Sequence, residues 1–268
     1  MDNRDGRYSR ELAAAQEAAV AAGQAIKALY GTRLDVGQKS HDNPVTVADL
    51  QSNEIIRDRI RRDFADDGWL SEETEDRDDR LGWNRVWVVD PLDGTKEFIS
   101  HIAEFCVSIA LVEEGRARLG VLYNPITDEL FAGAEGGTVL LNGKPSPIGR
   151  QRDLAQASVL ASRSETNRGE WDRFKGRFKM KETGSVAYKL GLVAAGRADA
   201  TFSLTPKHEW DVCAGAALVE IAGGRMTDSD GKPLIYNKRI PPLLPGLVAS
   251  NVDLHRQLMG LIGTTGKS

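Results

Sequence analysis

Residues 88–98 read VVDPLDGTKEF. Asp90 and Asp93 stand three apart at the end of an apolar run, where two carboxylates can point to one spot in a crevice. Oxygens of that kind are what a hard cation such as Mg2+ requires. Gly94 and Thr95 follow and lead toward KEFI, which reads as the opening of a helix. The first amides of a helix have no acceptor within it, and together they suit a phosphate. The same residues also make an ordinary turn, with Pro91 setting the bend and Asp93-Gly94 finishing it. On this stretch alone, turn and site both stand.

Three other stretches carry acids that could join such a site. Ser71-Glu72-Glu73 lies in a polar segment, as solvated surface or as further oxygen ligands. In PVTVAD (44–49), Thr46 and Asp49 have the spacing of a capping box, with Asp in place of Glu. Asp49 then sits in the first helical turn, where it could also serve a water or a hydroxyl. Asp211, in EWDVCAGAALVEIAGG, falls at a helix start that favours aspartate as a cap or first-turn residue. Ala214 and Gly215 let that helix approach another backbone closely.

The elements that must position these residues are legible in outline. Leu12, Ala15, Ala19, Ala22, Ile26 and Leu29 repeat at helical spacing, which predicts a helix over 10–30 closed by Gly31. A second helix is predicted over 47–64 and a loop over SEETEDRDDR. Then the period changes. RVWVVD is a continuous apolar run, the mark of a buried strand. FCVSIALVE and RLGVLYN read as strands joined at Gly115, and ELFAGAE and TVLLNG as another pair. The second half alternates: a strand at ASVLAS, a helix over 185–196, a strand at ADATFSL, a helix over 211–222, strands at GGRMT and LVAS, and a closing helix over 251–262. The expected class is α+β, with an antiparallel-rich sheet in the first half and α/β character in the second. A boundary near GKPSPIGRQRD (143–153) divides 1–147, which carries most of the acids, from 148–268, which completes one functional unit.

The bulk properties exclude several classes. The chain has 268 residues and a net charge of −4. It shows no basic run, so a nucleic-acid polymer is not an expected partner. The amino terminus lacks an apolar signal region, and no window approaches the roughly 18 apolar residues of a membrane span. The two cysteines, Cys106 and Cys213, lie within apolar patterns and read as buried thiols of a cytoplasmic protein. The four histidines show no zinc-ligand spacing.

DPLDGT, the upstream Glu-Glu and Thr-x-x-Asp and the downstream WDxxAG, in that order, resemble the lithium-sensitive, Mg2+-dependent phosphatases of the inositol monophosphatase superfamily. The resemblance runs from residue 42 to 215. Within that group, DPLDGTKEF in place of DPIDGTTNF, EFCVSIALVEEGRARLGVLYNP and GKPLIYN are most similar to the bacterial 3′(2′),5′-bisphosphate nucleotidases of sulfur metabolism. The resemblance implies a layered α/β/α/β/α sandwich and two or three Mg2+ ions. Its metal ligands fall on Glu72, Asp90, the Leu92 carbonyl, Asp93 and Asp211, with Glu73 one register away from Glu72. Its water-activating pair falls on Asp49 and Thr95. Its substrate side falls on Glu72, Asp93, Gly94, Thr95 and Asp211, and beyond the reacting phosphate on Gly184 and Ser185 as free donors. Lys189, one turn on, either adds charge there or is a solvated helix lysine. Lys39, in an upstream loop, stays outside the catalytic set.

The implied reaction removes the 3′-phosphate of 3′-phosphoadenosine 5′-phosphate. Inositol monophosphate and fructose bisphosphate are alternative substrates on the same scaffold. A non-catalytic phosphate- or metal-binding protein is a remote alternative. The implied partner is a small phosphomonoester, and the assembly a monomer or homodimer.

Overall fold

The structure, a computed structural model, describes residues 6–33, 35–40, 43–239 and 243–265. The chain opens with helix α1 (Ser9–Leu29), a hairpin of β1 (Gly37–Ser40) and β2 (Asn43–Val45), and helix α2 (Val47–Asp63). A large sheet follows. Its strands are β3 (Gly68–Ser71), β4 (Arg85–Asp93), β5 (Cys106–Glu113), β6 (Arg116–Asn124), β7 (Glu129–Ala134), β8 (Leu140–Leu141) and β9 (Lys144–Pro145), adjacent in chain order. The short helix α3 (Thr95–Ile99) leaves the end of β4.

The second half contributes β10 (Ser158–Ser162), α4 (Arg163–Asn167), β11 (Lys179–Thr183), α5 (Val186–Ala194), β12 (Ala200–Ser203) and β13 (Lys207–His208). It continues through α6 (Glu209–Ile221), β14 (Arg225–Thr227), β15 (Leu243–Leu244), β16 (Leu247–Ser250) and α7 (Val252–Thr265). Its five-stranded sheet has the order β11-β10-β12-β16-β14, and β13 pairs with β15.

The layers follow from the side-chain pattern of β4. Trp87 and Val89 pack against α1 and α2, whereas Val86 and Val88 pack against α5 and α6. A strand covered on both faces must be apolar throughout, which is why RVWVVD reads as an unbroken run. The helices α5 and α6 also touch the second sheet, whose outer face packs on α7. The result is the expected α/β/α/β/α sandwich.

Several elements depart from expectation. The edge strand β3 pairs parallel to β4, so the first sheet is mixed. At four residues, GWLS is too short to show a period. TVLLNG narrows to two strand residues. The strand β11 had no apolar signal because it is a sheet edge and largely exposed. The acidic loop is not wholly solvated. Arg80 is buried and grips Asp76 through two bonds of 2.6 and 2.7 Å. It also donates to Asn237 Oδ1 at 2.6 Å and the Lys238 carbonyl at 2.7 Å. Glu209, at the start of α6, accepts from the amides of those same two residues.

The close approach expected of α6 is made at Gly120 of β6. A Cβ there would lie 2.2 Å from the carbonyl oxygen of Ala214. A Gly120→Ala protein must push α6 off the sheet, and overpacking of this kind costs about 1–3 kcal/mol or more. Urea denaturation is expected to show a loss of at least that size. Mg2+ binding, read by the metal-induced rise in Tm, should weaken with it, because Asp211 rides on the same helix.

Candidate active site

Asp90 and Asp93 differ by an odd number of residues, so a regular strand would turn them to opposite faces. The pairing of β4 with β5 resolves this. Asp90 is opposite Ser108 and Asp93 opposite Cys106, with a bulge between them. One extra residue on β4 restores both carboxylates to a single face, the side of α5 and α6. Ser52 of α2 fixes the bulge by donating to the Pro91 carbonyl at 2.8 Å. The Leu92 amide donates to Asp90 Oδ1 at 3.0 Å. Gly94 then turns the chain with φ 102°, and a Cβ there would meet Phe105 at 2.9 Å, so glycine is required on both counts.

Asp211 comes to the same place from α6. It is the third residue of the helix, and its carboxylate accepts from the His208 amide at 3.1 Å. Carboxylate oxygens of Asp90, Asp93 and Asp211 lie within 4.8 Å of one another. Asp93 is further held by the Ser185 hydroxyl and by the Ala187 amide at 2.6 Å. Burial pushes the Asp93 carboxyl up from its ordinary range, against the pull of those two bonds and of Lys189. Burial pushes Asp211 well up, and the charges of Asp93 and Glu72 add to it. Converging carboxylates that resist ionising together could hold a cation, and an all-oxygen donor set fits Mg2+.

Glu72 follows β3, its amide donating to the Val89 carbonyl at 3.2 Å. Its neighbours are tied to α2, since Ser71 donates to Asn53 at 2.7 Å and Asn53 to Thr74 at 3.2 Å. Glu72 lines the cleft of about 360 Å³ that also holds Asp90, Leu92, Asp93, Gly94, Thr95 and Asp211, whereas Glu73 is not part of that lining. The tight carboxylate trio does not include Glu72.

Asp49 serves two ends at once. Its Oδ2 accepts from the Thr46 amide at 2.8 Å and the Thr46 hydroxyl at 2.7 Å. Its Oδ1 accepts from the Thr95 hydroxyl at 2.8 Å. Cap and candidate catalytic residue are therefore the same side chain. The Thr95 hydroxyl also lies 3.2 Å from the Leu92 carbonyl.

The expectation for the 184–189 segment needs correction. The Gly184 amide is not free, because it donates to Glu104 Oε2 at 2.7 Å, and Glu104 is paired in turn with Arg163. The Ser185 hydroxyl is committed to Asp93 and accepts from the Tyr188 amide at 2.9 Å. Lys189 is not solvated. It is 4% exposed and donates to the carbonyls of Ser185 at 2.8 Å and Thr183 at 3.3 Å. Burial draws its pKa down, while Asp93 and Glu165 oppose that. All three residues line the cleft, but their hydrogen bonds support Asp93 and the turn that carries Ser185.

Other lining residues were not singled out from sequence: Ser162, Ser164, Lys207 and His208, while Lys96 and Glu97, marked only by the KEF likeness, line it too. Burial raises the Glu97 carboxyl, with Asp93 adding to the effect. Only the nearness of Lys207 to Trp210-Asp211 could have flagged it. Both cysteines are free and buried, with thiols pushed well up by burial, so neither is an activated nucleophile. Among the described residues, no helix is long and apolar enough to cross a membrane.

Comparison with known proteins agrees with this geometry. The sequence profile of the inositol monophosphatase family matches residues 8–264. The 3′(2′),5′-bisphosphate nucleotidase CysQ of Escherichia coli (strain K12) is 38% identical over 234 residues, covering 85% of this chain and 95% of that protein. Inositol monophosphatase 3 of Solanum lycopersicum is 36% identical over 239 residues, covering 85% and 89%. Among solved structures, the extragenic suppressor protein suhB of Bartonella henselae superimposes with a TM-score of 0.83 at 29% identity, covering 95% of this chain and 98% of that one. The chain belongs to the inositol monophosphatase family of Mg2+-dependent phosphatases.

Proposed function

We propose that this protein hydrolyses the 3′-phosphate of 3′-phosphoadenosine 5′-phosphate, giving AMP and phosphate. The observation that carries a phosphomonoesterase is the meeting of Asp90, Asp93 and Asp211 in the cleft that also presents Thr95 on Asp49. The nucleotide reading is supported by the KEF continuation of DPLDGT and by the likeness to CysQ.

Glu72, Asp90, the Leu92 carbonyl, Asp93 and Asp211 would hold Mg2+. When bound, Mg2+ offsets the charge of the phosphate dianion, lowers the pKa of a water and shields the leaving oxygen. The chain does the rest. The Thr95 hydroxyl donates a hydrogen bond to Asp49, so its oxygen is left to accept one from the attacking water. As the water attacks, its proton passes to Thr95 while that of Thr95 passes to Asp49. Gly94 and Thr95 open α3, where their amides have no acceptor within the helix and can bind phosphate oxygens. Ser185 and Lys189 keep Asp93 in place.

Phosphate release with Mg2+ tests the reading on 3′-phosphoadenosine 5′-phosphate, inositol 1-phosphate and fructose 1,6-bisphosphate, each with and without Li+. The nucleotide is expected to give the highest kcat/KM, and Li+ to inhibit. A preference for inositol 1-phosphate would move the substrate to the second reading, which the 36% identity to inositol monophosphatase 3 favours.

A further inference from the structure

We propose that Lys207 selects substrates carrying a second anionic group, by binding the phosphate that is not hydrolysed. This deepens the nucleotidase reading and rests on it.

Lys207 lines the same cleft as the three aspartates. Its side chain is only 14% exposed, and its ammonium donates to Glu165 Oε1 at 2.8 Å and to the Thr205 hydroxyl at 2.7 Å. Glu165 is itself 2% exposed and does not serve Lys207 alone. Its Oε1 also accepts from Ser203 at 2.6 Å and Thr205 at 2.8 Å, and its Oε2 from the Trp171 indole at 3.1 Å. Trp171 in turn stacks on Phe202 with ring centroids 4.2 Å apart. Burial would raise the Glu165 carboxyl, yet Lys207 and these hydroxyls bring it down to about 2. The anchor is therefore a fixed anion on a rigid aromatic base.

An ammonium has three protons, and two of them are used here. Three further donors share the charge of Glu165, so the lysine is only partly neutralised. A lysine held this way has already lost its rotamer freedom, which is the main entropic cost of capturing an anion with a long side chain. Lys189 cannot serve equally. It is sealed at 4% exposure, its ammonium is spent on two carbonyls, and its charge is already balanced by Asp93. With the reacting phosphate at the aspartates, Lys207 offers a preorganised cation in the same cleft for another. The lining hydroxyls of Ser162 and Ser164 complete a polar wall suited to phosphate oxygens.

The test compares 3′-phosphoadenosine 5′-phosphate with adenosine 3′-monophosphate, which share the scissile ester and differ only in the second phosphate. Wild type is expected to prefer the bisphosphate. In Lys207→Gln, kcat/KM for the bisphosphate should fall 10- to 100-fold, mainly through KM, while the monophosphate changes less than about threefold. Should removal of one partner leave Glu165 charged, buried and the protein unfolded, Lys207→Met combined with Glu165→Gln carries the same comparison without an unpaired charge. Equal losses on both substrates, or a variant that keeps the wild-type preference, would overturn the assignment. Inositol 1-phosphate separates the two levels of inference. A wild type that favours it over both nucleotides overturns the nucleotidase reading and this proposal together. A wild type that favours the bisphosphate, with an unaltered Lys207→Gln preference, overturns this proposal alone.

Discussion

Asp211→Asn is expected to abolish Mg2+-dependent phosphate release while making the metal-free protein more stable. The loss of activity follows from the site. Asp211 is the one member of the trio that comes from the second half of the chain, and without it the cation cluster is open on that side. Transition-state charge stabilisation by a bound cation is worth several kcal/mol, and about 4 kcal/mol is three orders of magnitude in rate. The stability change has the opposite sign. Burial already drives the Asp211 carboxyl well up, and Asp93 and Glu72 drive it further. An amide there removes a charge that the fold holds against its preference. It also faces no strict demand from its one backbone partner, since the asparagine oxygen can still accept from the His208 amide. Without metal, the variant should therefore melt above wild type. With Mg2+ the order should reverse, because a cation that binds only the folded wild type stabilises it by about 2.7 kcal/mol at one hundred times its Kd. Calorimetric scans with EDTA and with Mg2+ check both signs. A variant that melts lower than wild type in EDTA would show that Asp211 is held by structural bonds rather than against repulsion.

Asp49→Asn should lower kcat by about 10²- to 10⁴-fold, the usual range for a positioned general base, with little change in KM. The geometry leaves an asparagine no good choice. If its oxygen faces Thr46, its NH2 meets Thr95 and cannot take the proton. If its oxygen faces Thr95, its NH2 meets the Thr46 amide and hydroxyl, donor against donor. The second arrangement also weakens the start of α2, for which loss of a cap typically costs about 1 kcal/mol. Thr95→Ala should produce a similar fall in kcat without that loss of stability. Residues that act as a unit are not additive, so the double variant should be no slower than the slower single one. A rate for Asp49→Asn within a few-fold of wild type would leave Asp49 as a helix cap only.

These residues were legible to different degrees for physical reasons. The core strands showed because both faces of β4 and β5 are covered, which leaves no room for polar alternation. Thr46 and Asp49 showed as a cap because capping is local, but the reach of Asp49 to Thr95 spans 46 residues and has no signature in spacing. Asp90 and Asp93 were visible as a pair, while the bulge that turns them to one face depends on the register with β5. The edges β3 and β11 were missed because short, half-covered strands carry little apolar pattern. Ser185 holds φ 54°, a backbone state that its residue type does not announce. Lys207 and Glu165 lie 42 residues apart, and only the fold makes them one device.

The middle layer has a consequence in time. Helices α5 and α6 belong to the second half of the chain, yet they cover Val86, Val88 and Ala110 of the first sheet. A ribosome delivers Asp90 and Asp93 long before Asp211, so the nascent first half carries acids without their partner and an apolar sheet face without its cover. Each is completed by the same late event, the arrival of α6. Catalytic competence and burial of the sheet thus mature together, and a chain that stops short of α6 yields neither.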